Sequence, residues 1–251
     1  DCTITVTDTA GNAVTMNMSS FSVIEQMGGS IQGKELSLTA TKVVSTFVGS
    51  TRIINCAALY KFGYPFDITT DGTNLYVVDT NCHTIKQIVI DNGTVTILAG
   101  TGSSGSANGV GTSASFDTPY GITTDGTNLY VADSFNHLIR QIVISTKAVT
   151  TLAGGGSGDA TDGTGTTATF DSPTGITTDG TNLYVADHDN HLIRQIVIST
   201  KAVTTLAGTG TGGNTNGAGS VAKFKEPAGI TTDGIDLYVI EKGNHRLRKI
   251  D

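Results

Sequence analysis

Apolar residues along this chain come in short blocks broken by polar turns, and no helical spacing runs through them. Leu-Tyr-Val clusters at Leu75, Leu129, Leu183 and Leu237 each follow an Asp-Gly pair by a few residues. The phrase ITTDGTNLY begins at Ile68, Ile122 and Ile176 and returns as ITTDGIDLY at Ile230, which places Asp71, Asp125, Asp179 and Asp233 at a constant spacing of 54 residues. A fixed period of this size marks a repeat architecture. In the second unit the pattern predicts four strands: Tyr120 to Thr124, Asn128 to Asp133, His137 to Ile144 and Ala148 to Ala153. Asp125-Gly126 and Ser145-Thr146-Lys147 supply turns between them, so the unit reads as a meander. The third strand, Leu138-Ile-Arg-Gln-Ile-Val-Ile144, is apolar on both faces and calls for cover on both sides. Radially stacked blades give that cover. The expected fold is therefore all-β: a four-bladed β-propeller over residues 41–251, preceded by an N-terminal extension over residues 1–40.

The fourth unit stops at Asp251, just after its third strand. Thr41-Lys-Val-Val-Ser-Thr-Phe-Val-Gly49 matches the fourth-strand sequence Thr200-Lys-Ala-Val-Thr-Thr-Leu-Ala-Gly208, so the ring is expected to be closed by its N-terminal strand, which would remove a pairing-competent edge. Before it, Thr3 to Thr7 and Ala13 to Met18 alternate around Ala10-Gly11-Asn12 as a β-hairpin, with Ile4, Val6, Val14 and Met16 as candidate interaction residues. A lone hairpin is marginal in water, so docking on the propeller or strand addition to a neighbouring subunit is expected.

The segments Asp133-Ser-Phe-Asn-His-Leu-Ile-Arg140 and Asp187-His-Asp-Asn-His-Leu-Ile-Arg194, each followed by a Thr-rich strand and Gly, resemble NHL repeats. The resemblance covers roughly residues 41–251, with variants Cys82-His83-Thr84 in unit one and Asn244-His245-Arg246 in unit four. It implies an NHL-type propeller, commonly an interaction module and in some members an enzyme. Such propellers usually carry six blades, so four copies imply a small ring or one completed by another chain; the strand arithmetic favours the small ring.

Composition narrows the function. Charged residues make up 15%, and with a formal charge of −7 no basic stripe is available for nucleic acid. A first residue of Asp rather than Met and the absence of a long apolar run suggest a processed, secreted chain, extracellular or at the cell surface, with no transmembrane segment. His83, His137, His191 and His245 recur once per unit, which favours a structural role over a shared metal site. Asp79, Asp133, Asp187 and Glu241 recur with Lys86, Arg140, Arg194 and Arg248, as structural ion pairs would; catalytic carboxylates would be confined to one unit. No catalytic, cofactor-binding or metal site is assigned. Cys56 and Cys82 lie in loops that a propeller brings to one face, and a disulfide is expected there, with a buried free thiol as the alternative; Cys2 is left over. Cys82-His83 has Asp79 where covalent haem attachment needs a cysteine.

The loops 100–115, 154–169 and 208–223 vary while the strands stay nearly constant, and recognition is expected there. His188 and Asp189 replace Ser134 and Phe135 in otherwise identical stretches of units two and three, which makes Phe135, His188 and Asp189 candidates for specific contact. The leading expectation is a non-catalytic extracellular protein-interaction module, a subunit of a surface assembly or filament linked through its N-terminal strands. The alternative is a lectin-like binder of polysaccharide, against which the absence of Trp counts, although Phe135 and Tyr120 are available. A metal-dependent hydrolase or lyase ranks third, because the first strands offer mostly Gly, Ile and Thr.

Overall fold

The computed structural model describes residues 2–7, 13–18, 45–49, 56 and 61–251. Two compact units are present, Asp1–Phe47 and Val48–Asp251. In the first, β1 (Cys2–Thr7) pairs antiparallel with β2 (Ala13–Met18), in a register that sets Ile4 opposite Met16 and Val6 opposite Val14.

The second unit is an all-β, four-bladed propeller. Blade one comprises β3 (Pro65–Thr70), β4 (Asn74–Asp79), β5 (Thr84–Val89) and β6 (Val95–Ala99). β7 (Gly109–Val110) leads to blade two, made of β8 (Pro119–Thr124), β9 (Asn128–Asp133), β10 (Leu138–Val143) and β11 (Ala148–Ala153). β12 (Gly163–Thr164) leads to blade three, made of β13 (Pro173–Thr178), β14 (Asn182–Asp187), β15 (Leu192–Val197) and β16 (Ala202–Ala207). Blade four holds β17 (Pro227–Thr232), β18 (Leu237–Glu241) and β19 (Arg246–Ile250). Each blade is an antiparallel meander, and β7 and β12 add a short fifth strand to the outer edges of blades two and three.

The fourth strand expected for blade four is not among the described strands. Residues 41–44 lie outside the described residues, and Ser45–Gly49 form no strand. Val48 instead packs beside Val77, Ile88 and Val95 of blade one, an apolar face that in the other blades meets the preceding blade.

The period-two pattern explains the stacking. Along β9, Leu129 and Val131 face blade one and meet Tyr76, Val78 and Leu98, while Tyr130 and Ala132 face blade three and meet Ile176, Leu183 and Val185. Both sides of the strand are buried, so apolar residues fill both registers. The first strands run side by side at the centre, β3 beside β8, β8 beside β13 and β13 beside β17. That approach requires glycine: a Cβ on Gly121 would lie 2.2 Å from the Thr174 carbonyl oxygen, and one on Gly175 would lie 2.4 Å from that of Ala228.

The recurring polar residues hold this scaffold. Asp133 and Arg140 form a fully buried ion pair at 2.9 Å, and Asp187 and Arg194 one at 3.0 Å; Lys86 meets Asp79 at 3.0 Å and Arg248 pairs with Glu241. The guanidinium of Arg140 also donates to the carbonyls of Ser115 and Ala107, so the loop that precedes its own blade satisfies both terminal nitrogens of the buried cation, while its buried Nε has no partner among the described residues. Arg194 does the same to Thr169 and Thr161. The variable loops are thereby held as spacers along the blade edge. In the Asp-Gly turns, Asp125 accepts from the amides of Thr127 and Asn128 and from the Tyr130 hydroxyl, so its carboxylate is used up by the turn.

The recurring histidines join blades. Each sits in left-handed conformation at the end of the turn after its second strand, and His83, His137 and His191 accept at Nδ1 from the backbone N–H of Thr118, Ser172 and Glu226 in the next blade, at 3.0–3.1 Å.

Candidate functional site

Where the propeller's first strands begin, residues of all four blades line a cleft of about 530 Å³. All of its lining falls at four positions of the repeat. The residue before the strand-opening proline contributes Tyr64 and Ser172. The residue after that proline contributes Phe66, Tyr120, Thr174 and Ala228, one from each blade. The two residues that follow the second strand contribute Thr80, His188 and Lys242 at one position, and Asn81, Phe135 and Asp189 at the other. At each of these positions the four repeats carry different side chains, whereas the flanking prolines, turns and strands hardly change.

The cleft is two-sided in chemistry. Blades one and two supply aromatic rings: Phe66 lies 4.6 Å from Tyr120 edge to face, and Tyr64 lies 6.3 Å from Phe66 at a tilt of 33°. Tyr64 and Phe66 are each 52% exposed and Phe135 is 60% exposed, unusual for rings with an apolar core nearby. Blades three and four supply polar and charged groups. His188 Nδ1 lies 2.7 Å from Asp189 Oδ1. Partial burial pulls the Asp189 carboxyl up, but hydrogen bonding from the Ser172 hydroxyl and from His188 outweighs it and holds Asp189 below the usual carboxylate range. Among the described residues Lys242 has no ion-pair partner.

His188 displaces a structural bond. At its position Thr80 and Ser134 donate their hydroxyls to the carbonyls of Pro119 and Pro173 in the next blade. His188 makes no such bond to Pro227; there the Thr174 hydroxyl ties blade three to the next blade instead, donating to the Ala228 carbonyl at 3.0 Å with the Pro227 carbonyl at 3.4 Å. The imidazole is released to the cleft.

Of the residues singled out from sequence, Phe135, His188 and Asp189 converge here with Tyr120. Ile4, Val6, Val14 and Met16 belong to the hairpin unit. Cys56 and Cys82 are joined by a disulfide whose second cysteine directly follows Asn81 of the cleft. Sequence reasoning missed Tyr64, Phe66, Asn81 and Lys242. The signal that would have found them is their alignment across the repeats, where they occupy the columns that change. None of the variable loops, where recognition was expected, lines the cleft. Among the described residues no three His, Cys, Asp or Glu side chains lie close enough together to share a metal ion.

No protein-family model matches the chain. It is 38% identical over 144 residues to human NHL repeat-containing protein 2, an alignment covering 53% of this chain and 20% of that protein. The repeat array is an NHL-type propeller. The Arabidopsis thaliana protein SUPPRESSOR OF QUENCHING 1, chloroplastic, is 32% identical over 204 residues, covering 74% of this chain and 19% of its own length. The chain thus spans about a fifth of the length of these curated relatives. In fold, the NHL propeller is similar to a solved Bacteroides ovatus structure described as an auxiliary nutrient binding protein, with a TM-score of 0.62 at 21% identity over 77% of this chain and 49% of the other.

Proposed function

We propose that this NHL propeller is a non-catalytic binding module of a secreted protein, and that it takes its ligand in the cleft over its first strands. One observation carries the reading. Residues 121–154 and 175–208 are identical except at Ser134-Phe135 and His188-Asp189, and the cleft draws three of those four residues into its wall. A scaffold reused without change, with substitutions collected in one concavity, is the arrangement expected of recognition. The open cleft, with its aromatic wall, suits binding rather than turnover. A disulfide fits an oxidising compartment. The name of the Bacteroides ovatus neighbour, auxiliary nutrient binding protein, is in keeping with a binding role.

The test is an NMR screen of the labelled full chain against a mixed library of sugars, amino acids and nucleosides. Shifts should cluster at Phe66, Tyr120, Phe135 and Asp189. A library that shifts only residues away from the cleft sinks the proposal.

A second reading, protein contact through the hairpin, is favoured by its geometry: the two strands lie in a compact unit separate from the blades, with Ile4 registered on Met16 and Val6 on Val14. Two strands alone are marginal in water, which supports a further surface for them to pair with. Electron microscopy of the full chain beside a variant lacking residues 1–34 decides it: ordered polymers lost on truncation support assembly, and compact monomers in both samples refute it.

A further inference from the structure

We infer that the cleft binds a neutral oligosaccharide, seated with the apolar face of a sugar ring on Phe66 and Tyr120 and its hydroxyls turned toward Asp189 and His188. The inference rests on the reading of the cleft as a ligand site and names the chemistry of what enters it.

A pyranose ring is amphipathic in a particular way: its axial C–H bonds make an apolar face, and its rim carries hydroxyls that both donate and accept. The cleft is divided to match. Phe66, Tyr120 and the exposed Phe135 offer ring faces and edges on one wall, contacts that add stacking energy to area burial. On the facing wall the ionised Asp189 carboxylate accepts hydroxyl protons, and His188 and Lys242 bring groups that bond hydroxyl oxygens. The His188–Asp189 contact keeps the acceptor in place before any ligand arrives, which lowers the cost of ordering it on binding. The volume of about 530 Å³ falls within the roughly 300–1,000 Å³ of drug-sized ligand sites, enough for more than a single sugar ring.

Other ligand chemistries fit less well. A flat heteroaromatic ring is best held between two parallel faces, but Phe66 meets Tyr120 at 70° and Tyr64 at 33°, so neither pair offers parallel faces. A phosphate or sulfate ester would enter beside the Asp189 carboxylate on a chain of formal charge −7, with Lys242 as the one lysine or arginine in the lining. An acidic sugar meets the same repulsion. The absence of Trp removes the largest stacking platform, and the cleft offers four smaller rings from two blades, Tyr64, Phe66, Tyr120 and Phe135.

The experiment is isothermal titration calorimetry of the full chain with cellohexaose, xylohexaose, mannohexaose and chitohexaose, each also run against Phe66→Ala and Asp189→Asn. Both side chains reach solvent, so the variants should melt as the parent does, and a circular-dichroism melt checks this. At least one hexasaccharide should bind saturably, with affinity falling tenfold or more in each variant. Two outcomes overturn the inference: no hexasaccharide binds at millimolar concentration, or binding survives both substitutions unchanged. A parallel NMR titration with blocked dipeptides separates the two levels of the argument. Dipeptide shifts confined to the cleft, with no sugar binding, overturn the saccharide and leave the binding module standing. Silence of both probes at the cleft removes both.

Discussion

Blades two and three are a natural double-mutant experiment. Over residues 121–154 and 175–208 their turns, buried ion pairs and blade-joining histidines are the same residue for residue, and the two stretches differ only where one carries Ser134-Phe135 and the other His188-Asp189. In blade two the serine hydroxyl ties the turn to the next blade and the phenylalanine projects to solvent; in blade three the histidine abandons that tie and pairs with an aspartate. Most of what holds the blades together therefore stays constant, and three of the four residues that change line the cleft. Blade one sharpens the comparison from the other side, since it keeps the scaffold roles with different chemistry: Lys86 stands for arginine and Cys82 for asparagine.

The largest effect should come from the constant part. Arg194→Ala leaves the buried Asp187 carboxylate without its cation and frees the loop carbonyls of Thr161 and Thr169, so a loss of about 3–5 kcal/mol is expected in urea unfolding of the full chain. Arg140→Ala in blade two should cost the same within about 1 kcal/mol: its buried carboxylate and carbonyl partners match, and only the half-exposed Asp162 carboxylate beside Arg194 is replaced, by the neutral Asn108. Very different losses would show that the two blades are not energetic copies.

Next in size is the exchange in blade one. At the Cys82 position the other blades carry Asn136, Asn190 and Asn244, each of which donates to a carbonyl of the preceding loop, Gly105, Asp159 and Gly213. The disulfide to Cys56, 26 residues away, fastens the incoming segment covalently at the same place. Replacing both cysteines by alanine should cost about 3 kcal/mol, against about 1 kcal/mol for Asn136→Ala, which loses hydrogen bonds but no cross-link. Equal losses would mean that the cross-link adds nothing beyond the hydrogen bond it replaces.

These scaffold roles were readable in the sequence to different degrees. The 54-residue recurrence exposed the blades, and the co-recurrence of Asp133 with Arg140 exposed the ion pairs, because both partners are side chains that repeat. The histidines were legible as structural, but not as joints between blades, since their partner is a backbone N–H that no sequence pattern marks. The cleft was half legible. Phe135, His188 and Asp189 stood out as differences between near-identical stretches, whereas Tyr64, Phe66 and Lys242 did not, because a search for repetition passes over the positions that never repeat. The long loops vary in side chain, yet Arg140 and Asn136 hold them by their carbonyls, contacts that no sequence pattern marks.

A third prediction separates turn from interior by pH. Burial pushes Asp187 up to about 6, above an ordinary value of 3.8, so its contribution to stability is present below about pH 3.8 and is lost as pH rises through about 6. The turn aspartate Asp179 runs the opposite way. Its slight burial pulls upward, but bonds from Asn182, Thr181 and Tyr184 lower it to about 2, so its contribution is present above about pH 3.8 and is lost as pH falls through about 2. Asp71, Asp125 and Asp233 are lowered in the same way, so Asp179→Asn should make the fall of the thermal midpoint below pH 4 shallower without abolishing it, and leave the limb between pH 4 and 6 intact. Being solvent-exposed, the turn should contribute under about 1 kcal/mol. If the limb between pH 4 and 6 flattened instead, the interior and turn carboxylates would have been assigned the wrong way round.

The smallest effect on stability should belong to a position proposed for recognition. Phe135 is 60% exposed, and its removal opens no cavity in the core. Phe135→Asp gives blade two the blade-three residue while Ser134 keeps its tie to Pro173, so the urea midpoint should move by no more than about 0.5 kcal/mol. The same change removes a ring from the aromatic wall and places a second carboxylate across from Asp189, so any ligand that stacks on that wall should bind more weakly. Should Phe135→Asp destabilise the chain by 2 kcal/mol or more while leaving ligand binding untouched, that ring would belong to the scaffold, and the separation between constant interior and variable cleft would fail at its most informative position.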